Sequence, residues 1–212
     1  MVKSSEYFLL AVKVLPAGAV DLGLSVLWAS CNLGASSPEE YGDYYAWGET
    51  ETKDDYSWST YKFKTGTGLF SYFSKYNNDD NKRVLDSDDD AAHVKLGGKW
   101  RIPTHAECTE LENNCTWTWT NDYNGTGVKG KIVTASNGNS IFLPAAGYRD
   151  NTSLNDAESR GNYWSSSLNK DGIADPDFAF YVYFDSAGRP MRDSDDRDRY
   201  YGSSIRPVCE EL

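Results

Sequence analysis

The chain has 212 residues, enough for one large domain, and carries a formal charge of −11. That charge argues against nucleic acid, whose phosphates need a basic face, and against docking on anionic lipid. No stretch approaches 18 apolar residues, so no membrane-spanning segment is expected. Seven Trp, 15 Tyr and 8 Phe provide bulky core material, and 18 Gly provide turns. Aromatic and β-branched residues outnumber strong helix formers in most segments. The expected class is therefore α+β: two short helices among mixed, mainly antiparallel strands and long loops.

Residues 1–20 read as an N-terminal strand or linker ending at Pro16-Ala17-Gly18, and 21–212 as the domain. The apolar run Tyr7–Val12 lacks a basic leader and a cleavage site, so it is not read as a signal peptide; any export signal would lie outside this sequence. Leu22–Ala29 reads as a first core strand and Tyr44–Gly48 as a short aromatic one. From about 50 to 82 no period is sustained, which predicts a long insertion packed by its own aromatics: Tyr56, Trp58, Tyr61, Phe63, Phe70, Tyr72 and Phe73.

Acids at 86–90, alanines at 91–92 and glycines at 97–98 mark the start and stop of a short helix. Thr104 followed by Glu107 is a capping box, which predicts a second helix to about Asn113 that buries Ala106 or Cys108 with Leu111. The rest reads as β-structure. Gly130–Ala135 and Ser140–Pro144 flank Asn137-Gly138, a hairpin signal. Asn162–Ser167 and Phe178–Asp185 follow, and Ser203–Glu210 is the last strand expected.

Six blocks in order then resemble a known family. They are Asp21–Ala35, Tyr41–Glu49, Trp100–Glu107, Leu143–Arg149, Tyr163–Ser166 and Ile205–Val208. They resemble the "major paralogous domain" proteins abundant in Fibrobacter and Bacteroides relatives. That resemblance implies a fold similar to C-type lectins and formylglycine-generating enzymes, and to the variable receptor proteins diversified by retroelements, whose C-terminal third carries the changeable binding residues. One departure is Cys108, where the family usually has Trp; it is read as a small core hydrophobe. A lectin-like fold would bring the first and last strands together and Cys31 near Cys209, leaving either a disulfide or two separate buried thiols. Cys108 and Cys115 would stand about 10 Å apart along a continuous helix, so they could pair only if it ended near Asn113 or Asn114. The cysteine spacing fits no zinc pattern.

The expected function is ligand binding without chemistry, on a receptor or adhesin displayed outside the cell or on its surface, with a protein or glycan partner. The C-terminal strand and loop carry the expected site. Tyr181, Tyr183 and Asp185 alternate with the apolar Phe178, Phe180, Val182 and Phe184, so they should share the opposite face. Arg189, Arg192, Asp196, Arg197, Asp198 and Tyr201 supply the Tyr/Arg/Asp mixture common at recognition surfaces. Asn162, Asn169, Asp171, Asp175 and Asp177 extend the set. The opposing reading is a solvated, self-neutralising loop beside an ordinary half-buried strand.

Trp28, Trp47, Trp100, Trp117 and Trp164 read as core rather than as sugar-stacking platforms. A cofactor is not expected. A calcium-dependent carbohydrate-binding module is the first alternative, drawing on the acids at 86–90 or on Asn121 and Asp122, but no EF-hand spacing is present. An oxidase of the formylglycine-generating type is the second. It needs a C-terminal cysteine pair where Cys209 stands alone, and with only His93 and His105 in the chain no metal or nucleophile motif forms.

Overall fold

Among the residues described by this computed structural model (15–66, 72–169, 177–187 and 196–210), the chain is α+β, with two α-helices and mostly antiparallel strands. Strands β1 (Ala19–Val20), β2 (Leu27–Ala29), β14 (Val208–Cys209) and β5 (Trp100–Arg101) form one antiparallel sheet in the order β1-β2-β14-β5. The last strand thus lies inside the sheet, with Val208 opposite both Trp28 and Arg101. The strand expected over Leu22–Ala29 is confined to its last three residues. Gly23 takes a φ of +68° and the Ser25 N–H turns to the Glu110 carboxylate, so the chain bends before it can pair.

Tyr44–Gly48 is buried but makes only a single bridge, Tyr45 to Ser203, instead of a strand. The expected Ser203–Glu210 strand is likewise broken: Ser203 and Ser204 bridge to Tyr45 and Tyr163, and regular pairing resumes only at Val208. The insertion holds a hairpin of β3 (Lys64–Thr65) and β4 (Tyr72–Phe73). Of its aromatics, Tyr56, Tyr61, Phe63 and Phe73 are buried and Trp58 packs against them; Tyr72 is exposed, and Phe70 lies outside the described residues.

Helix α1 (Ala91–Leu96) is capped by Asp90, which accepts from the His93 N–H at 3.0 Å and the Ile102 N–H at 2.8 Å. Helix α2 (His105–Asn114) carries the capping box in full: Thr104 accepts from the Glu107 N–H, and Glu107 from the Thr104 N–H. It buries Cys108 and Leu111 and leaves Ala106 exposed.

Strands β6 (Cys115–Thr120), β7 (Gly130–Ala135) and β8 (Ser140–Pro144) form a meander. Its β7–β8 turn takes the positive φ at Gly138 alone. A small hairpin of β9 (Tyr148–Asp150) and β10 (Ser153–Asn155) follows. The third sheet has the order β11 (Arg160–Leu168), β12 (Phe178–Asp185), β13 (Asp196–Asp198). Strand β13 therefore falls in what reads in sequence as a charged loop.

The β11–β12 pair separates two cores, because neighbouring strand residues point to opposite faces. Trp164, Leu168 and Ala179 join the insertion's rings, while Tyr163, Val182 and Phe184 join Trp28, Cys108, Leu111 and the β7–β8 side chains. Gly161 makes this packing possible: a Cβ there would sit 2.0 Å from the Phe184 ring. Buried indoles stitch the segments together, Trp47 donating to the Ser165 carbonyl at 2.9 Å and Trp164 to the Tyr45 carbonyl at 2.8 Å. Arg206, also buried, donates to the Ala29, Ser30 and Phe142 carbonyls and to Asn32.

All four thiols are free. The expected approach of Cys31 to Cys209 does not occur, because the register sets Cys209 opposite Leu27, four residues before Cys31. Helix α2 ends at Asn114, where a Cys108–Cys115 bridge would be geometrically allowed, but both thiols are free: Cys108 is buried under the helix and Cys115 opens β6.

Candidate functional site

Register decides which side chains share the outer face of the third sheet. Across β11 and β12, Asn162 lies opposite Tyr183 and Arg160 opposite Asp185; across β12 and β13, Ala179 lies opposite Arg197. Directly paired residues project to the same side, so this face collects Arg160, Asn162, Tyr181, Tyr183, Asp185 and Arg197. It is not uniformly open. At its Ala179 end the insertion covers it, and Tyr181 packs at the edge of that core, 6.3 Å from Trp164. Beyond Tyr181 it emerges, leaving Tyr183 and Asp185 half-buried.

Arg197 sits at the centre. Opposite it Ala179 is small, so the guanidinium can lean across β12 and donate from Nη1 to Asn162 Oδ1 at 3.1 Å. Asn162 is 1% exposed, and its amide nitrogen donates to the Gly147 carbonyl, which fixes the oxygen toward Arg197. The guanidinium carbon lies 3.7 Å from the Tyr148 ring centre, 4.6 Å from that of Tyr201 and 5.3 Å from that of Tyr181. These are cation–π distances.

The rings continue outward. Tyr201 meets Tyr148 edge-on at 5.5 Å and stacks on Tyr200 at 4.3 Å; Tyr200 reaches Trp58 of the insertion at 4.8 Å. Burial, then the neighbouring Tyr201 hydroxyl and the charges of Asp150 and Asp198, push the Tyr200 hydroxyl's pKa up. On the other flank Tyr183 donates to Asp185 at 3.1 Å and lies under the Arg160 guanidinium. The result is a half-buried band of phenol rings with one cation held inside it.

Several residues of the expected site lie elsewhere. Asn169 directly follows β11, its N–H bonded to the Phe178 carbonyl. Asp177 pairs with Lys64 at 3.5 Å, tying the β12 end to the insertion. Asp196 and Asp198 pair with Phe180 and Phe178 along β13. Asp171, Asp175, Arg189 and Arg192 lie outside the described residues, as does the stretch 188–195. The alternation of faces along β12 holds, but burial does not follow it at one end: Ala179, on the Tyr face, is fully buried, while Phe180 is half-buried and stacks on His105 of α2 at 3.9 Å. The insertion's rings pack over Ala179, and the β11–β12 register shifts between Trp164 and Leu168 at this end.

Sequence reasoning misses Tyr148 as a member of the band; Tyr200 falls within the 189–201 stretch read as the binding loop but is not singled out there. Tyr148 sits inside a block that reads as scaffold, and only the β9 geometry turns its ring toward Arg197. Of the tryptophans read as core, Trp28, Trp47 and Trp164 are buried, whereas Trp100 and Trp117 are half-buried.

The acids considered for calcium are engaged otherwise. Asp86 and Asp89 are ion-paired with Lys62, Lys75 and Lys82. Burial raises the Asp89 pKa, but hydrogen bonds from Lys62, Lys75 and Tyr76 outweigh it and hold it below the ordinary carboxylate value. Asp122 accepts from the Gly127 N–H and Asn121 from the Trp119 indole. Among the described residues no three His, Cys, Asp or Glu side chains cluster as metal ligands would, and no helix is long and apolar enough to cross a membrane.

No protein-family model matches the chain, and neither a curated protein nor a solved structure is significantly similar to it.

Proposed function

We propose that this chain is a ligand-binding domain of C-type-lectin-like architecture, displayed outside the cell or on its surface, that holds a protein or glycan partner on the β12–β13 face. On this reading it performs no chemistry and belongs with the variable receptor proteins that its sequence blocks resemble. The pairing of β2 with the last strand, the two helices and the antiparallel meander suit that architecture. The observation that carries the binding role is the gathering of Tyr148, Tyr181 and Tyr201 around Arg197 from β9, β12 and the turn after β13, with Tyr183 adjoining Tyr181. Tyrosine and arginine give large contact area at small entropic cost, and here neighbouring rings already hold them in place.

Binding of the purified chain to glycan and protein arrays tests the reading. Tyr183→Ala and Tyr148→Ala should each abolish the strongest signals while leaving the melting temperature within a few degrees. Hits that survive both substitutions would move the site elsewhere. Comparing this locus among sibling isolates is a second test: substitutions should concentrate between Asn162 and Tyr201, with Trp164 and Pro207 constant, and an even spread would count against the variable-receptor assignment.

A further inference from the structure

We propose that the three tyrosine rings around Arg197 form a cation-recognising cage, and that the chain's own guanidinium occupies it in place of a cationic group brought by the partner. This rests on the platform reading above and adds the ligand's chemistry to it. Four observations point the same way.

The cage has walls. Tyr148, Tyr181 and Tyr201 present their rings to one point at 3.7–5.3 Å, the distance at which a ring quadrupole attracts a positive charge. It has a polar floor. Asn162 is buried, and its amide nitrogen is committed to the Gly147 carbonyl, so its oxygen accepts from whatever cation enters. Its occupant is held weakly for a charged group. The partners of Arg197 among the described residues are three rings and one amide oxygen, with no carboxylate among them. Contrast Arg101, which makes a bidentate pair with Glu107. Finally, the chain's charge of −11 draws a cationic partner toward the surface before any contact forms.

The position of Arg197 makes exchange feasible. It stands on β13, an edge strand of three residues, and the guanidinium reaches the cage by leaning across β12. Swinging it out breaks one hydrogen bond and no ion pair among the described residues. An incoming arginine or alkylammonium group would meet the same rings and the same oxygen. The arrangement is thus self-competitive, and the free chain binds cations less tightly than the empty cage would.

The test uses the full chain and an arginine side-chain analogue, N-acetyl-arginine methylamide, with tetramethylammonium as a second probe. Arg197→Ala should bind the arginine analogue about tenfold more tightly than the unaltered chain does, as expected from removing a competing cation. Adding Tyr148→Ala to Arg197→Ala should remove that gain. Arg197→Met keeps the stem and serves if the alanine variant is not folded by circular dichroism. A folded Arg197 variant that binds the analogue no better than the unaltered chain overturns the proposal, as does a gain that persists without Tyr148. An array partner captured through the tyrosines but carrying no cationic group would overturn the cage while leaving the broader binding reading standing. Array hits indifferent to every tyrosine would remove that reading instead.

Discussion

Two arginines stand two residues apart, each ringed by aromatics, and only one is sealed. Arg199 is fully buried: its guanidinium donates to the Tyr61 hydroxyl and to the Tyr76 and Lys75 carbonyls, under Trp47 and Phe73. Among the described residues Arg197 makes one side-chain hydrogen bond, and it is only partly buried. The same chemistry therefore does two jobs. Where backbone carbonyls converge on the guanidinium, it welds the C-terminal segment to the insertion. Where rings replace those carbonyls, it leaves a surface that another cation can use.

Stability should separate the two most sharply. Arg199→Ala removes a buried side chain and leaves three acceptors unmet, so it should cost about 3–4 kcal/mol. That lowers the melting temperature by about 6–16 °C. Arg199→Lys should recover little, since one ammonium cannot reproduce the planar fork. A loss at Arg199 no larger than that at Arg197 would erase the distinction.

Lys131 gives a second contrast, between a cation with acceptors and one that has none among the described residues. It is 4% exposed on the central strand of the meander, with the Trp119 ring 5.9 Å from its ammonium. Burial lowers its pKa from the ordinary lysine value of 10.5, and the more distant Asp185 charge only partly restores it. The unfolded chain therefore takes up this proton first as pH falls. The Lys131 contribution to stability therefore grows with pH up to about 10.5, against buried thiols and phenols such as Cys209 and Tyr56, whose raised pKa values act the other way; Lys131→Met should make the net slope of stability against pH more negative in urea titrations between pH 8 and 10.5. An unchanged slope would mean that the ammonium is solvated in the folded state.

Arg197→Ala should be mild, lowering stability by about 1 kcal/mol or less. The smallest effect expected is that of a chelator. If the acids at 86–90 serve lysines and a helix cap, EDTA should leave the melting temperature unchanged; a fall of several degrees would favour a calcium-dependent module.

The parts of this fold that local chemistry specifies were legible in the sequence. The Thr104–Glu107 box, the Asp90 cap, the turn at Gly138 and the alternating strand Phe178–Asp185 each need only near neighbours. What could not be read depends on distant partners. The Tyr44–Gly48 segment has the composition of a strand, yet its backbone is satisfied by Ser203 and Arg199, far along the chain. Arg197 and Arg199 are indistinguishable as letters in a charged run, because their fates are set by Tyr148 on one side and by the insertion on the other. The tyrosine band was half visible for the same reason: Tyr181 and Tyr183 follow from the period of one strand, whereas Tyr148 enters through the geometry of another.

The placement of β14 bears on how the chain is made. Val208–Cys209 fills the gap between β2 and β5, which cannot pair with each other. During synthesis β1 and β2 can pair with each other, but the second edge of β2 must stay open until about 180 later residues, from Trp28 to Val208, have left the ribosome. Arg206, whose acceptors lie at Ala29–Asn32 and Phe142, is delivered in the same final stretch. Closure of the domain is therefore a late event joining residues far apart in sequence, which predicts slow folding and a nascent chain with sticky edges that needs shielding.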